Sequence, residues 1–412
     1  MKVAVIGAGA AGSFCSILIK RLHPLWDVDV FEASDRPMRK LALTGGGRCN
    51  LTNTFRNIQN LKQAYPRGDK LMKRILREFS PEDTREWFEK EGVRLTTEAD
   101  QRIFPCSQNA LDVVNTLLAS MRKEGISLHL SYRLKKITPS PGGYELAFSN
   151  GKKSLSDKVV IVCGGMSSPK VSNQLFSLDM EIIPPVPSLF SFHIEDGRLT
   201  ALAGTTIGQC TASIPGTKFR SEGSILVTHQ GMSGPAILKL SSYAARYMAE
   251  MPLPQNIGIN WMGRESEEDT RQWIKETIAQ SPHKHISSVY PPCLTSRFWK
   301  YMLEKSNIST DIPFNALNTK QTNRLTATLT NDIYPIKGKN RNKEEFVTCG
   351  GIALSEVYPQ SLESRKYPGI FFAGEILDID AITGGFNLQA AWSTGCTVAR
   401  QMAVSPVRSS EY

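Results

Sequence analysis

The chain has 412 residues, 41% hydrophobic and 21% charged, with a formal net charge of +10 at pH 7. That length exceeds one ordinary core and predicts two or three domains, and the composition excludes a disordered chain. No apolar run reaches membrane-spanning length, and a strand starting at Val3 leaves no room for a signal or transit peptide, so the expected location is the cytoplasm. The positive balance favours anionic ligands, yet it reads as diffuse. The densest basic run, Lys337 to Lys343, has no interleaved aromatic residues and reads as a solvated loop, so nucleic acid is not the expected partner. The eight cysteines, at 15, 49, 106, 163, 210, 293, 349 and 396, form no CxxC and no zinc-spaced cluster. They predict reduced, mostly buried thiols and no metal site.

The first stretch, Val3 to Gly12, reads as a buried strand followed by Gly7-Ala8-Gly9-Ala10-Ala11-Gly12, a tight turn opening an apolar helix from Ser13 to Leu22. Gly7 permits the turn, Gly9 lets backbone approach a pyrophosphate, and Gly12 lets the helix pack on the strand. A second strand, Val28 to Phe31, ends at Glu32, whose carboxylate can accept the hydroxyls of an adenosine ribose. The next stretch, Arg39 to Asn53, holds three consecutive glycines, Gly45, Gly46 and Gly47, flanked by Lys40 and Arg48. Bare backbone beside fixed positive charge makes a seat for phosphate or an electron-rich ring edge, with Thr44 at its entry. Asn50, Thr52 and Asn53 read as residues that lock the turn.

Residues 69–91 show helical apolar spacing, with a strong helix start at Ser80-Pro81. An amphipathic helix is expected over 110–123, a strand over 126–130, and a meander over 134–148. Asp157 to Gly165 reads as another buried strand, whose terminal Gly164 and Gly165 are expected beneath the cofactor. Pro184, Pro185 and Pro187 mark a domain exit. From 189 to 335 the character changes to short strands (189–194, 206–214, 224–228) and then helices (235–248, 267–278, 296–303, 318–328). This reads as an inserted module covering the cofactor face. Strands then return at 345–349 and 369–375. The last ends in Gly374-Glu375, with Asp378 and Asp380 following, before Gly384-Gly385-Phe386-Asn387 opens a final helix. Here a carboxylate can accept ribityl hydroxyls, and a helix N-terminus can face the flavin edge where reduction places negative charge. Ligand-shaped motifs at both ends of the chain favour FAD over NAD. The expected architecture is α/β. A Rossmann-like, doubly wound FAD-binding domain (1–188 and 336–412) is interrupted by a β-rich plus helical insert (189–335).

The blocks GAGAAG with Glu32, KLALTGGGRCNLTN, RIFP, THQGMSGPAIL and GEILDIDAITGGFNLQAAWSTG together resemble the YhiN/BaiN-like, or RdsA-like, family of NAD(P)/FAD-dependent oxidoreductases across essentially the whole chain. The resemblance implies tightly held FAD contacted by Gly7, Gly9, Gly12, Glu32, Gly45 to Arg48, Gly374, Glu375 and Gly384 to Asn387. It also implies reduction of conjugated carbon–carbon double bonds in steroid-like acceptors. One departure is the stretch Met166 to Ser172, where many family members have a longer glycine-rich segment beside the flavin.

The reaction expected is hydride transfer from NADH or NADPH, bound transiently, to the flavin and on to a small organic acceptor. Candidate catalytic groups are Cys49 as thiolate or proton donor, Arg102 as an anchor for an anionic acceptor, and His229 as an acid. Against each stands a plainer role: buried filler for Cys49, structural ion pair for Arg102, loop histidine for His229. Two other readings are a flavin-dependent RNA-modifying enzyme and a non-catalytic flavin-binding protein.

Overall fold

The structure, a computed structural model, describes residues 1–166, 177–252, 255–339 and 347–403. The chain forms two compact units, 1–186 with 347–412, and 187–346.

The first unit is built on a five-stranded parallel sheet. Its strands are β1 (Lys2–Ile6), β2 (Asp27–Phe31), β6 (Ser127–His129), β10 (Lys158–Ile161) and β13 (Ile370–Phe372), in the order β13-β10-β1-β2-β6. β1 lies at the centre, with Val5 opposite both Val30 and Val160. Val3, Ala4 and Val5 are fully buried, as a strand covered on both faces requires. Helix α1 (Ala10–Leu22) starts three residues before the expected Ser13, because the glycine turn itself provides its first turn. α2 (Arg39–Gly47) is helical only in its first half: Thr44 is extended (ψ 145°), while Gly45 and Gly46 are left-handed (φ 61° and 70°). The helical stretch expected over 69–91, with a start at Ser80-Pro81, is two helices, α3 (Asp69–Glu78) and α4 (Pro81–Lys90). They are divided where Phe79 turns extended and Ser80 caps α4 by exchanging hydrogen bonds with Asp83.

A small antiparallel sheet joins β3 (Thr52–Asn53), β4 (Leu95–Thr97) and β5 (Arg102–Pro105). α5 (Ala110–Lys123) follows, and the meander is a three-stranded sheet of β7 (Leu134–Ser140), β8 (Gly143–Phe148) and β9 (Lys153–Ser156). The proline cluster lies where the domain exit is expected: the first unit ends at Val186 and the second starts at Pro187. Pro184, Pro185 and Pro187 lie within β11 (Ile182–Ser188), paired in a two-stranded sheet with β12 (Val347–Ile352), where every strand is an edge and tolerates proline. The chain closes with α6 (Phe386–Gln401), which is buried along most of its length and packs Trp392 beside Phe14 and Phe88.

The second unit has a seven-stranded antiparallel sheet with helices at 235–243, 245–250, 267–280, 296–305 and 319–330. Two of its strands, Gln255–Asn260 and Asp332–Ile336, escape the sequence reading. The first is rich in Asn and Gly, and the second holds a proline at the sheet edge. Its core includes Trp261, Phe298 and Trp299, with a buried polar centre where Lys305 meets Asp332 at 2.6 Å and the Trp261 indole donates to the same carboxylate at 3.0 Å. The basic run's residues 340–343, the departure at 167–172 and the expected strand start at 345–346 lie outside the described residues.

All eight cysteines are free thiols. Cys15, Cys49, Cys210, Cys349 and Cys396 are buried, while Cys106 and Cys163 are exposed. Among the described residues, no cluster of His, Cys, Asp or Glu suits a metal ion, and no helix is long and apolar enough to cross a membrane.

Candidate functional site

The carboxyl ends of β1, β2, β10 and β13 carry the predicted residues of the first unit. α1 begins after Gly9 with no side-chain cap and no acidic residue in its first turn. Such an end leaves N–H donors without intrahelical partners, together with about half a positive charge. A Cβ on Gly9 would meet nothing within 4 Å, whereas one on Gly12 would lie 1.9 Å from the Gly7 carbonyl oxygen. Gly12 therefore seats the helix on the turn, and Gly9 leaves its backbone open to a ligand. At the end of β2, Glu32 is held by the Ala8 N–H at 2.9 Å, and by the Ser34 N–H and hydroxyl at 2.9 and 2.7 Å. Ala10 and Ala11 form the first turn of α1 and add no competing polar group.

The triple-glycine loop is anchored at both ends and open in the middle. Gly46 and Gly47 face open space. The Thr44 hydroxyl donates to the Leu41 carbonyl at 2.7 Å. Lys40 reaches Glu375 at 3.3 Å, joining the amino-terminal and carboxy-terminal motifs directly. The Arg48 guanidinium, expected to face phosphate, instead donates to Glu98 at 2.9 Å and Gln108 at 3.0 Å and lies over the Phe104 ring. Beyond it, Asn50 accepts from the Gly385 N–H at 3.0 Å in the amide orientation that satisfies both ends. Asn53 donates to the Gly384 carbonyl at 3.0 Å, and the Trp392 indole donates to the Leu51 carbonyl at 3.0 Å.

At the carboxy-terminal side, Glu375 accepts from the Thr348 N–H at 2.9 Å, and Gly164 and Gly165 border its carboxylate. Gly165 has no room for a side chain: a Cβ there would lie 2.6 Å from the Thr348 hydroxyl. Gly374 lies against Ala11, so the two glycine-led turns meet. α6 begins at left-handed Gly385 with no side-chain cap and no acid in its first turn, a second open helix N-terminus in the same unit.

Two predicted ligand contacts have other partners. Asp380, expected to hold ribityl hydroxyls, has a fully buried side chain locked to the guanidinium of Arg67, whose Nε donates at 2.6 Å. The Asn387 side chain both donates to and accepts from the Ala381 backbone at 2.9 Å, clipping the turn rather than facing outward. Asp378 is half-buried, and the Phe386 ring packs edge-on against Phe55 at 4.9 Å.

Of the three catalytic candidates, Cys49 and Arg102 belong to the first unit and His229 to the second. Cys49 is completely buried, and burial pushes its thiol up to about 12, so it stays protonated and the thiolate reading does not hold. Arg102 is held by Glu98 at 2.8 Å and Asp100 at 2.6 Å. His229 is exposed and belongs to the second unit. Reasoning from sequence also missed Arg67 and the Tyr65 hydroxyl, which donates to the Phe386 carbonyl at 2.8 Å. Nothing in the motif pattern links either to positions more than 300 residues away.

The groups present fit a dinucleotide. Two uncapped helix N-termini and a bare glycine loop offer backbone donors to anionic groups, and Glu32 and Glu375 offer acceptors to hydroxyls. Residues 1–401 match the family described as HI0933-like protein Rossmann domain, and the chain belongs to that family. It is 27% identical over 407 residues to the ribosomal RNA dihydrouridine synthase of Escherichia coli (strain K12), with 97% of each chain covered. It is 25% identical over 417 residues to the 3-dehydro-bile acid delta(4,6)-reductase of Clostridium scindens, with 98% of this chain and 100% of that protein covered. Among solved structures, a quinol-fumarate reductase with menaquinol molecules aligns with a TM-score of 0.51 at 12% identity, covering 100% of this chain and 72% of that one. That last likeness is one of fold.

Proposed function

We propose that this protein is an FAD-dependent oxidoreductase that reduces a carbon–carbon double bond conjugated to a carbonyl group, with NADH or NADPH as the transient donor. The observation that supports it most is the pair of uncapped helix N-termini, α1 and α6, in the unit built on the parallel sheet, with Glu32 held beside the α1 turn. One such end seats a pyrophosphate; a second offers its positive dipole to a flavin edge, where reduction places negative charge. In this reading the Gly7 to Gly12 turn, with Ala10 and Ala11, takes the pyrophosphate, and Glu32 takes the adenosine ribose. Gly164, Gly165, Gly374 and Glu375 take the linker hydroxyls. The α6 N-terminus at Gly384 to Phe386 and the Gly45 to Gly47 loop border the ring. Bound FAD supplies the hydride chemistry. The protein's part is to hold donors and dipoles where negative charge develops and to keep Lys40 beside Glu375.

The reaction class rests on what the two named relatives share. A delta(4,6)-reductase acts on double bonds, and a dihydrouridine differs from uridine by two hydrogens across a double bond conjugated to a carbonyl. The small-molecule acceptor expected from sequence is one reading of this chemistry. A uracil within RNA is the second, favoured by the ribosomal RNA relative and by the positive charge described below.

An anaerobic visible spectrum of the purified protein tests the proposal. A flavin spectrum that bleaches on adding NADH or NADPH is the expected result, followed by a gain of two hydrogens in an enone or in uridine-containing RNA, read by mass spectrometry. A colourless protein that FAD cannot reconstitute overturns the cofactor, and a flavin that neither nucleotide reduces overturns the donor.

A further inference from the structure

The net charge is not diffuse. Between positions 56 and 77 lie seven cations (Arg56, Lys62, Arg67, Lys70, Lys73, Arg74 and Arg77) against one acid, Asp69, a balance of +6 in a chain whose total is +10. Arg67 is consumed by the buried pair with Asp380. The other six are exposed. Four of them share one helix, α3, at the spacing i, i+3, i+4, i+7. At 100° per residue this places Lys70, Lys73, Arg74 and Arg77 within an arc of about 100° and a length of about 10 Å. The opposite face, Leu71, Met72 and Ile75, is buried. Arg74 has a loose partner in Glu78 at 3.7 Å, whereas Lys70, Lys73 and Arg77 face no carboxylate among the described residues.

This stripe is tied to the candidate site through the segment that leads into it. The Ala64 carbonyl accepts from the Ile382 N–H, Tyr65 donates to the Phe386 carbonyl, and Arg67 holds Asp380. Gly68, the residue before α3, lies against Ile379 so closely that a Cβ would fall 2.7 Å from its side chain. Upstream, exposed Arg56 follows Phe55, a half-buried ring that touches Phe386 at the start of α6. Arg56 thus adds an exposed cation next in sequence to a ring that packs on the first residue of α6.

We infer that the exposed face of α3, with Arg56, is a docking track for the phosphate backbone of RNA, placing a uridine of that strand at the site. The inference rests on the RNA reading above. Four cations over about 10 Å can neutralise successive phosphates along one strand. An aromatic ring beside the cations suits an unstacked base. An anionic membrane is the weaker partner, because the apolar face that would enter lipid is already packed in the core.

The test uses the full chain loaded with FAD and a fluorescein-labelled, uridine-containing 20-nucleotide single-stranded RNA, with anisotropy read from 50 to 200 mM salt. The triple variant Lys70→Gln, Lys73→Gln, Arg77→Gln is expected to lower the log–log salt slope by about 2 and to weaken binding at about 0.1 M salt on the order of 100-fold. Its flavin spectrum and melting should not change, since all three side chains are exposed. A charge-matched control, Lys275→Gln, Lys300→Gln, Lys320→Gln in the second unit, should leave the slope nearly unchanged. Wild-type protein that does not bind the RNA, a triple variant with the wild-type slope, or a control that loses as much overturns the track. So does wild-type binding to phosphatidylserine vesicles as tight as to RNA, with the same loss in the variant. The two ideas separate cleanly: RNA binding through α3 without dihydrouridine formation upholds the track and sinks the RNA-modifying reading. Dihydrouridine formation with full binding by the variant does the reverse.

Discussion

The two ends of the candidate site solve the same problem by different means. Each must keep a helix N-terminus uncapped and fixed in place. At the α1 end the fixing is steric: Gly12 lies on the Gly7 carbonyl, and backbone meets backbone with no space between. At the α6 end it is polar: Asn387 clips Ala381, Asn53 clips Gly384, and Arg67 grips Asp380. Steric seating needs only short-range neighbours and leaves a compact signature. Polar clipping draws partners from distant sequence, so its residues look like ligand contacts when read in isolation. The difference shows why a motif carboxylate is ambiguous. Glu375 is half-buried and borders Gly164 and Gly165, while Asp380, five residues later, is sunk in the core.

Substitutions can break this contrast. The largest effect is expected for Gly12→Ala, whose added methyl would meet a backbone oxygen that cannot rotate away. A loss of about 3 kcal/mol or more is expected, seen as insoluble protein or a strongly lowered thermal midpoint. A normal midpoint would show that the α1 end is not sterically seated. Next is Asp380→Asn, which leaves the Arg67 guanidinium buried without its counter-ion. About 2–3 kcal/mol is expected, since asparagine still accepts one hydrogen bond from the guanidinium, with the double variant Arg67→Met, Asp380→Leu recovering much of it. If the single variant melts like the parent but loses flavin, Asp380 is a ligand contact after all. The smallest effect on stability, within about 0.5 kcal/mol, is expected for Gly9→Ala, since its φ of −84° suits alanine and the space beyond is open. Its effect should fall on the ligand instead, weakening FAD affinity about tenfold in a titration of apoprotein. Unchanged affinity would remove Gly9 from the proposed pyrophosphate seat.

Much of the first unit was legible because its signals are local. The β1–α1–β2 unit follows from an apolar run, a glycine turn and an acid, all within 32 residues, and the structure reproduces it with the helix starting slightly earlier. The break in α2 was legible for the same reason, since consecutive glycines do not sustain a helix. The opposite holds in the second unit, where Gln255–Asn260 and Asp332–Ile336 are strands by virtue of their neighbours rather than their composition. The charge on α3 lay in plain view at helical spacing. Which face of α3 carries it follows only from the burial of Leu71, Met72 and Ile75.

What the sequence determined alone is the parallel dinucleotide scaffold and the open glycine positions, because these depend on backbone sterics within a few residues. What only the tertiary structure decided is which polar side chains remain available. Asp380, Arg48, Arg102 and Asn387 are engaged by partners, Cys49 is sealed from solvent, and the cations of α3 are left facing outward. Burial and pairing are properties of neighbours brought together across the chain, and a residue's own letter does not record them.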